Sequence, residues 1–210
     1  MPRVTPAHGC VVLQTGALGV GESHDSPDGR QYTIDRLRGG LVRALFLEAK
    51  FDHQPNIDNA SYLARRRFDP VAQVPTSPII HNSKADFDLG SVPWNFGQTI
   101  HLGDVAAEAL ACGVPVYLID SWASDARNFA RPGERVTQAE RGGVWVRDQV
   151  AAGLFYDIVV NRLGGERKGC LILFGNAHFS GINRLDYKWR QRQLCLSERL
   201  LIDYVLFNYD

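Results

Sequence analysis

The chain lacks any apolar run approaching the ~18 residues needed to cross a bilayer, so a membrane-spanning helix is excluded. It also lacks a charge surplus. Its 23 Lys and Arg residues balance 23 Asp and Glu residues, which argues against a polybasic nucleic-acid binder and against an acidic tail. Cysteine is scarce: Cys10, Cys112, Cys170 and Cys195 lie far apart and form no C-x-x-C pair. Each sits in an apolar context and none has an activating neighbour. Buried, reduced thiols are expected, and a cysteine nucleophile is not. No P-loop is present. The order Gly16-Ala-Leu-Gly19-Val-Gly21 does not match G-x-G-x-x-G. Gly21-Glu-Ser23-His-Asp25 misses the G-x-S-x-G nucleophile elbow, because Asp25 stands where the last glycine belongs. The opening Met1-Pro-Arg-Val-Thr-Pro6 has no signal-peptide core. No repeat or low-complexity tract appears.

What remains is a balanced, globular composition of 210 residues, 45% of them apolar and 10% aromatic. This is enough chain to bury a core, and a single soluble domain over residues 1–210 is predicted. Short apolar strands alternate with longer helical patterns, which predicts an α/β protein with a mostly parallel sheet flanked by helices. Strands are expected at Ala17–Gly21, Ala44–Ala49, Val114–Asp120 and Cys170–Gly175, with a further one possible at Cys10–Leu13. Helices are expected from about Asp28 to Leu41, from Asp104 as cap to Ala111 or Cys112, and from Val144 to Arg162. The apolar tail Leu194–Phe207 suits either helix or strand. Pro55, Pro70, Pro75, Pro78 and Pro93 break the middle, so residues of about 51–98 read as an excursion over the sheet. Within it, Asn59–Phe68 fits a short helix, Arg65 to Arg67 a solvated face, and Trp94 and Phe96 either a pocket wall or core packing.

Polar residues cluster where strands end. Glu22 and His24 follow the first strand, Glu48 closes the second, Asp120 closes a later one, and Asn176 and His178 follow Cys170–Gly175. In open parallel sheets, ligands bind beyond the carboxyl ends of the strands. Acids, amides and imidazoles delivered to one edge are what general acid–base chemistry needs, because a neighbour must fix the imidazole tautomer. Each residue also has a plainer reading as a helix cap or surface charge. Glu48, between Phe46, Leu47 and Ala49, is the exception: a carboxylate in such a setting needs a partner. His8, His53, His81 and His101 sit in loop-like surroundings and receive no role. Glu22, His24 and His178 could offer mixed metal ligands, but their spacing matches no closed zinc motif, and neither metal nor cofactor is assigned.

At these residues the sequence resembles the EreA/ChaN-like superfamily, which includes erythromycin esterases, haem-binding lipoproteins and domains of bacterial toxins and effectors. The resemblance rests on Gly21-Glu22-Ser-His24-Asp25, Leu45-Phe-Leu-Glu48-Ala49, Arg147-Asp148-x-x-Ala151 and Gly175-Asn-Ala-His178. Val150 stands where the family carries methionine, and the esterases have one more residue between Glu and His. Within the superfamily, the short chain resembles type III secreted effectors of plant-pathogenic pseudomonads that elicit host cell death. The resemblance implies a catalytic set of Glu22, His24, Glu48 and His178. His24 would activate water, Glu22 and Glu48 would orient it or balance charge, and His178 would polarise the bond or protonate the leaving group. Asp120, Arg147, Asp148 and Asn176 would bind substrate or support those groups.

The resemblance therefore implies an effector secreted into the host cell that elicits plant cell death through hydrolysis of an unknown small molecule, or related acid–base chemistry, with His24 as base. Two alternatives stand beside it. One is a non-enzymatic effector that binds a host protein; the other is a ChaN-like haem or ligand carrier. No nucleic-acid partner is expected.

Overall fold

The computed structural model describes residues 3–23, 26–50, 99–120, 144–180 and 194–207. In chain order these form α1 (Pro6–Thr15), β1 (Leu18–Glu22), α2 (Asp28–Arg38), β2 (Ala44–Lys50), α3 (Leu102–Ala111), β3 (Val116–Asp120), α4 (Val144–Arg162), β4 (Cys170–Gly175), α5 (Ala177–Ser180), α6 (Leu196–Leu200) and β5 (Asp203–Leu206). The strands make one five-stranded sheet in the order β3-β2-β4-β1-β5. Every pairing is parallel, with Glu22 opposite Gly175 and Leu47 opposite Leu173. The fold is the α/β class that the alternation of strand and helix predicts. None of the helices among the described residues is long and apolar enough to cross a membrane.

The continuous apolar runs of β1, β3 and β4 are buried along their whole lengths, as strands covered on both faces must be. Side-chain alternation divides the core in two. On one face Leu18, Val20, Leu45, Leu47, Leu171 and Leu173 pack under α1, α2 and α3, against residues such as Leu13, Leu37 and Val105. On the other, Phe46, Ile119, Ile172 and Phe174 pack under α4, α5 and α6, against Phe155, Ile158, Phe179 and Leu200. Full burial of such a side chain contributes roughly 1.5–3 kcal/mol, so these two layers hold the sheet together.

Several sequence expectations change. Cys10–Leu13 is not a strand. Thr5 accepts the His8 backbone N–H at 3.3 Å and Pro6 opens the first turn, so a helix has already begun when the apolar run arrives. The third helix starts before Asp104. Its carboxylate instead reaches back to the His101 backbone N–H at 2.7 Å, completing a cap in which His101 is the N-terminal residue. The second helix stops at Arg38, because Gly39 and Gly40 follow and Gly40 takes a φ of 67°. The apolar tail holds both of its possible structures, α6 and then β5. All four cysteines are free, but Cys112 is exposed and Cys10 half-buried, so only Cys170 and Cys195 are the buried thiols expected. The excursion at 51–98, with its helix, its arginines, Trp94 and Phe96, lies outside the described residues.

Candidate functional site: two buried ionic clusters at the carboxyl edge

The larger cluster gathers at the ends of β2, β3 and β4. Glu48 shares the parity of Ala44 and Phe46 and so faces the α4 side. The β2–β3 register shifts between Leu47 and Lys50, an irregularity of the kind that re-aims side chains at sheet edges. Its carboxylate is held from three directions. Oε2 accepts the Gly175 backbone N–H at 2.6 Å, while Oε1 accepts from Arg147 and lies 3.2 Å from His178 Nε2. Asp120 accepts from the same guanidinium in a fork, from Nε at 3.0 Å and from Nη2 at 2.7 Å, sharing Nη2 with Glu48. His178 completes the chain through Nδ1, which lies 2.5 Å from Asp148 Oδ1.

Local sequence places each member. Arg147 and Asp148 lie in the first turns of α4, and Asp148 falls seven residues before Phe155, on the stripe that α4 buries. His178 lies in the short helix that leaves β4. That helix sits directly on β1 because Gly19 has no side chain: a Cβ there would meet the Phe179 ring at 2.5 Å. The Phe174 ring meets the imidazole edge-on at 5.1 Å between centroids.

Burial dominates the electrostatics. Taken alone, burial would strip the proton from His178, but the Glu48 and Asp148 carboxylates outweigh it and push the imidazole up to about 10. Burial also pushes the Asp148 carboxyl above the usual carboxylate range, against the pull of His178. The pair therefore holds its proton throughout the neutral range. Burial disfavours the Arg147 charge as well, yet Asp120 and Glu48 raise its pKa and keep it ionised.

The second cluster lies on the opposite face. Glu22 shares the parity of Leu18 and Val20 and meets α2, where Arg30 is fully buried. Arg30 donates from Nε to Oε2 and from Nη2 to Oε1, both at 2.8 Å, and from Nη1 to the Ile100 carbonyl at 2.9 Å. A Cβ on Gly29 would stand 2.9 Å from the Glu22 Cβ, so α2 rests on this residue. The chain leaving β1 enters α2 on one face, whereas the chain leaving neighbouring β4 enters α5 on the other. Such a divergence is where open α/β sheets form a crevice.

The strand-end residues Glu22, Glu48, Asp120 and His178 thus do reach one edge, but the sheet separates Glu22 from the rest. Asn176 joins neither ionic cluster. Its Nδ2 donates to the Phe207 carbonyl at 2.9 Å and its backbone N–H to the Glu22 carbonyl at 2.9 Å, tying β4 to β1 and β5. Arg147 and Asp148, expected as support, contact Glu48 and His178 directly. The bond-polarising role the resemblance implies for His178 requires a ring nitrogen facing substrate, and both nitrogens face carboxylates. His24 lies outside the described residues, between Ser23 and a Ser26 whose N–H donates to the Ser23 carbonyl at 3.1 Å. Arg30 escapes a reading based on strand ends. Its signal is its place seven residues before Leu37, on the buried stripe of α2. Among the described residues, no group of three or more His, Cys, Asp or Glu side chains is arranged to hold a metal ion.

No protein-family model matches the chain, and no curated protein matches it significantly. Among solved structures, it is similar to RRSP, a MARTX toxin effector domain from Vibrio vulnificus, with a TM-score of 0.51 and 18% identity. The likeness covers 94% of this chain and 34% of that one, so the chain spans about a third of its neighbour's length. At this identity the likeness establishes a shared fold.

Proposed function

We propose that the chain is a bacterial effector domain of the EreA/ChaN type whose carboxyl-edge clusters form an acid–base centre for hydrolysis. The effector is delivered to the host cell and elicits plant cell death. One observation carries this reading: five ionisable side chains, Asp148, His178, Glu48, Arg147 and Asp120, form a continuous buried chain at the edge where such sheets bind ligands. Buried ion pairs are poor devices for stability, since apolar replacements of similar volume are often neutral or stabilising. Strongly shifted groups gathered at a ligand-binding edge are a mark of chemistry. The effector reading draws support from the described role of the neighbour, a toxin effector domain.

In this proposal His24 takes a proton from water, the hydroxide attacks an electrophilic carbon, and the imidazolium returns the proton to the leaving group. Glu22 and Glu48 are buried carboxylates on opposite faces of the sheet, each held by an arginine, Arg30 and Arg147 respectively. His178 holds Glu48 in place and does not exchange protons with substrate. One observation favours the binding alternative: in the larger cluster cations and carboxylates satisfy one another, which a passive scaffold would also require.

The test substitutes His24 and Glu48 separately with alanine, verifies cooperative unfolding, and scores cell death in plant tissue. Loss of activity in folded variants is the expected result. Full activity in both retires the hydrolase and moves the search to surface contacts.

A further inference from the structure

We propose that Cys10 is a site of oxidation by hydroperoxides, a reactive thiol built with Arg36 and Tyr32 where α1 meets α2; the inference does not depend on the hydrolase reading. Sequence context gives Cys10 no activating neighbour, but the fold brings one from 26 positions away: Arg36 donates from Nη1 to the Cys10 Sγ. The same guanidinium lies over the Tyr32 ring, 4.8 Å from its centroid. The Tyr32 hydroxyl donates to the Pro6 carbonyl at 3.0 Å, and the Cys10 thiol approaches that same carbonyl at 3.8 Å. Burial, with Cys10 beside it, pushes the Tyr32 phenol up to about 12, so the ring under the guanidinium stays neutral. Gly9 leaves room for this arrangement, since a Cβ there would stand 2.5 Å from the Tyr32 hydroxyl oxygen.

Two further observations point to an added group on the sulfur. Arg30, Arg38 and Arg147 each pair with carboxylates, whereas Arg36 pairs with none among the described residues and has the Cys10 sulfur as its acceptor. Its Nε–H is buried and has no hydrogen-bond partner. A buried donor left open is costly, and a neutral thiol is a weak acceptor. A thiolate supplies the missing countercharge, and an oxygen bonded to the sulfur brings an acceptor beside Nε. Cys10 is also only half-buried, unlike Cys170 and Cys195. An electropositive, partly open setting is what separates reactive cysteines from inert ones.

Hydroperoxide is the co-reactant. The Cys10 thiol gives its proton to water, and the thiolate attacks one peroxide oxygen. An S–O bond forms as the O–O bond breaks, and the departing hydroxide or alkoxide takes up a proton. Sulfur is oxidised by two electrons to a sulfenic acid, and the peroxide is reduced to water or water plus an alcohol. Arg36 stabilises the thiolate before attack, and its Nε–H donates to the new oxygen afterwards.

The experiment treats the full chain with hydrogen peroxide at neutral pH, traps sulfenic acid with dimedone, and follows labelling of each of the four cysteines by peptide mass spectrometry. An ordinary thiol is only a few per cent thiolate at pH 7, so ionisation leaves room for roughly tenfold acceleration or more. Bulky thiol reagents follow exposure and favour Cys112, whereas peroxide is small enough to follow thiolate character. Cys10 is expected to label about tenfold faster than Cys112. Arg36→Gln should bring Cys10 down to the Cys112 rate, and Arg36→Lys should keep part of the preference. Cys112 labelling as fast as Cys10 in the parent overturns the proposal, and so does unchanged Cys10 labelling in a folded Arg36→Gln protein. Should the Arg36 variants fail to fold, the parent unfolded in urea replaces them: loss of the Cys10 preference there supports the proposal, and a preference that survives unfolding overturns it.

Discussion

Replacing His178 with asparagine removes a proton that the fold stores, and the consequence is a pH-dependent loss of stability. The imidazole pKa is pushed from its ordinary 6.5 up to about 10 in the folded chain by Glu48 and Asp148, against the opposing effect of burial. The native state therefore keeps a proton that the unfolded ring releases. The stabilisation is fully present below about pH 6.5 and disappears as the pH rises through about 10. At ~1.4 kcal/mol per pH unit the interval corresponds to about 5 kcal/mol. That magnitude meets the ~3–5 kcal/mol lost when a buried ion pair is broken. For a chain of this length, each kcal/mol moves the melting temperature by roughly 2–4 °C, so His178→Asn at neutral pH melts about 10–20 °C lower than the parent. The assay is urea unfolding of both proteins at intervals from about pH 6 to about pH 10. Cys170 and Tyr32, both pushed up to about 12, titrate in both proteins and cancel in the difference. The stability gap should close as the pH rises. A gap that stays constant across that range refutes the stored proton and the Asp148–His178–Glu48 chain with it.

Other perturbations probe the same architecture. Arg147→Met leaves Glu48 and Asp120 without the guanidinium between them and should cost about 3–5 kcal/mol in urea unfolding; Arg147→Lys should recover less than half, since an ammonium cannot make the fork. A loss below ~1 kcal/mol in Arg147→Met would show that the cluster does not hold β2 to β3. Gly29→Ala places a Cβ 2.9 Å from that of Glu22 and should destabilise by about 1–3 kcal/mol, despite alanine's better helix propensity. An unchanged or raised melting temperature would mean that α2 does not rest on Glu22. In native protein, a thiol reagent should modify exposed Cys112 first and reach Cys170 and Cys195 only on unfolding; rapid native modification of Cys170 would contradict the buried β4.

How far the sequence carries this protein depends on whether a feature is local. The strand Cys170–Gly175 and the helix Val144–Arg162 have the bounds that their apolar runs and periodicity predict. Asp120 was legible as a site candidate for the same reason, as the polar last residue of an apolar strand; Glu48 was legible as a lone carboxylate within an apolar run, although β2 continues two residues beyond it to Lys50. Cys10–Leu13 misleads because its apolar run says strand while Thr5 and Pro6, several residues upstream, say helix.

The composition of the clusters is not local. Alternation along β1 and β2 assigns parity within each strand, but relative orientation depends on the order β3-β2-β4-β1-β5 and on which helices cover each face. Only the assembled sheet turns Glu22 toward Arg30 and Glu48 toward Arg147. The Gly175 contact with Glu48 spans 127 positions of the chain, and the His178 contact with Asp148 spans 30. Sequence alone determined which residues stand at the strand ends, because hydrophobic patterning and turn chemistry act over a few residues. Their partners, and the charge His178 carries, were decided by the tertiary structure, because ion pairing and burial depend on distances that exist only once the sheet has formed.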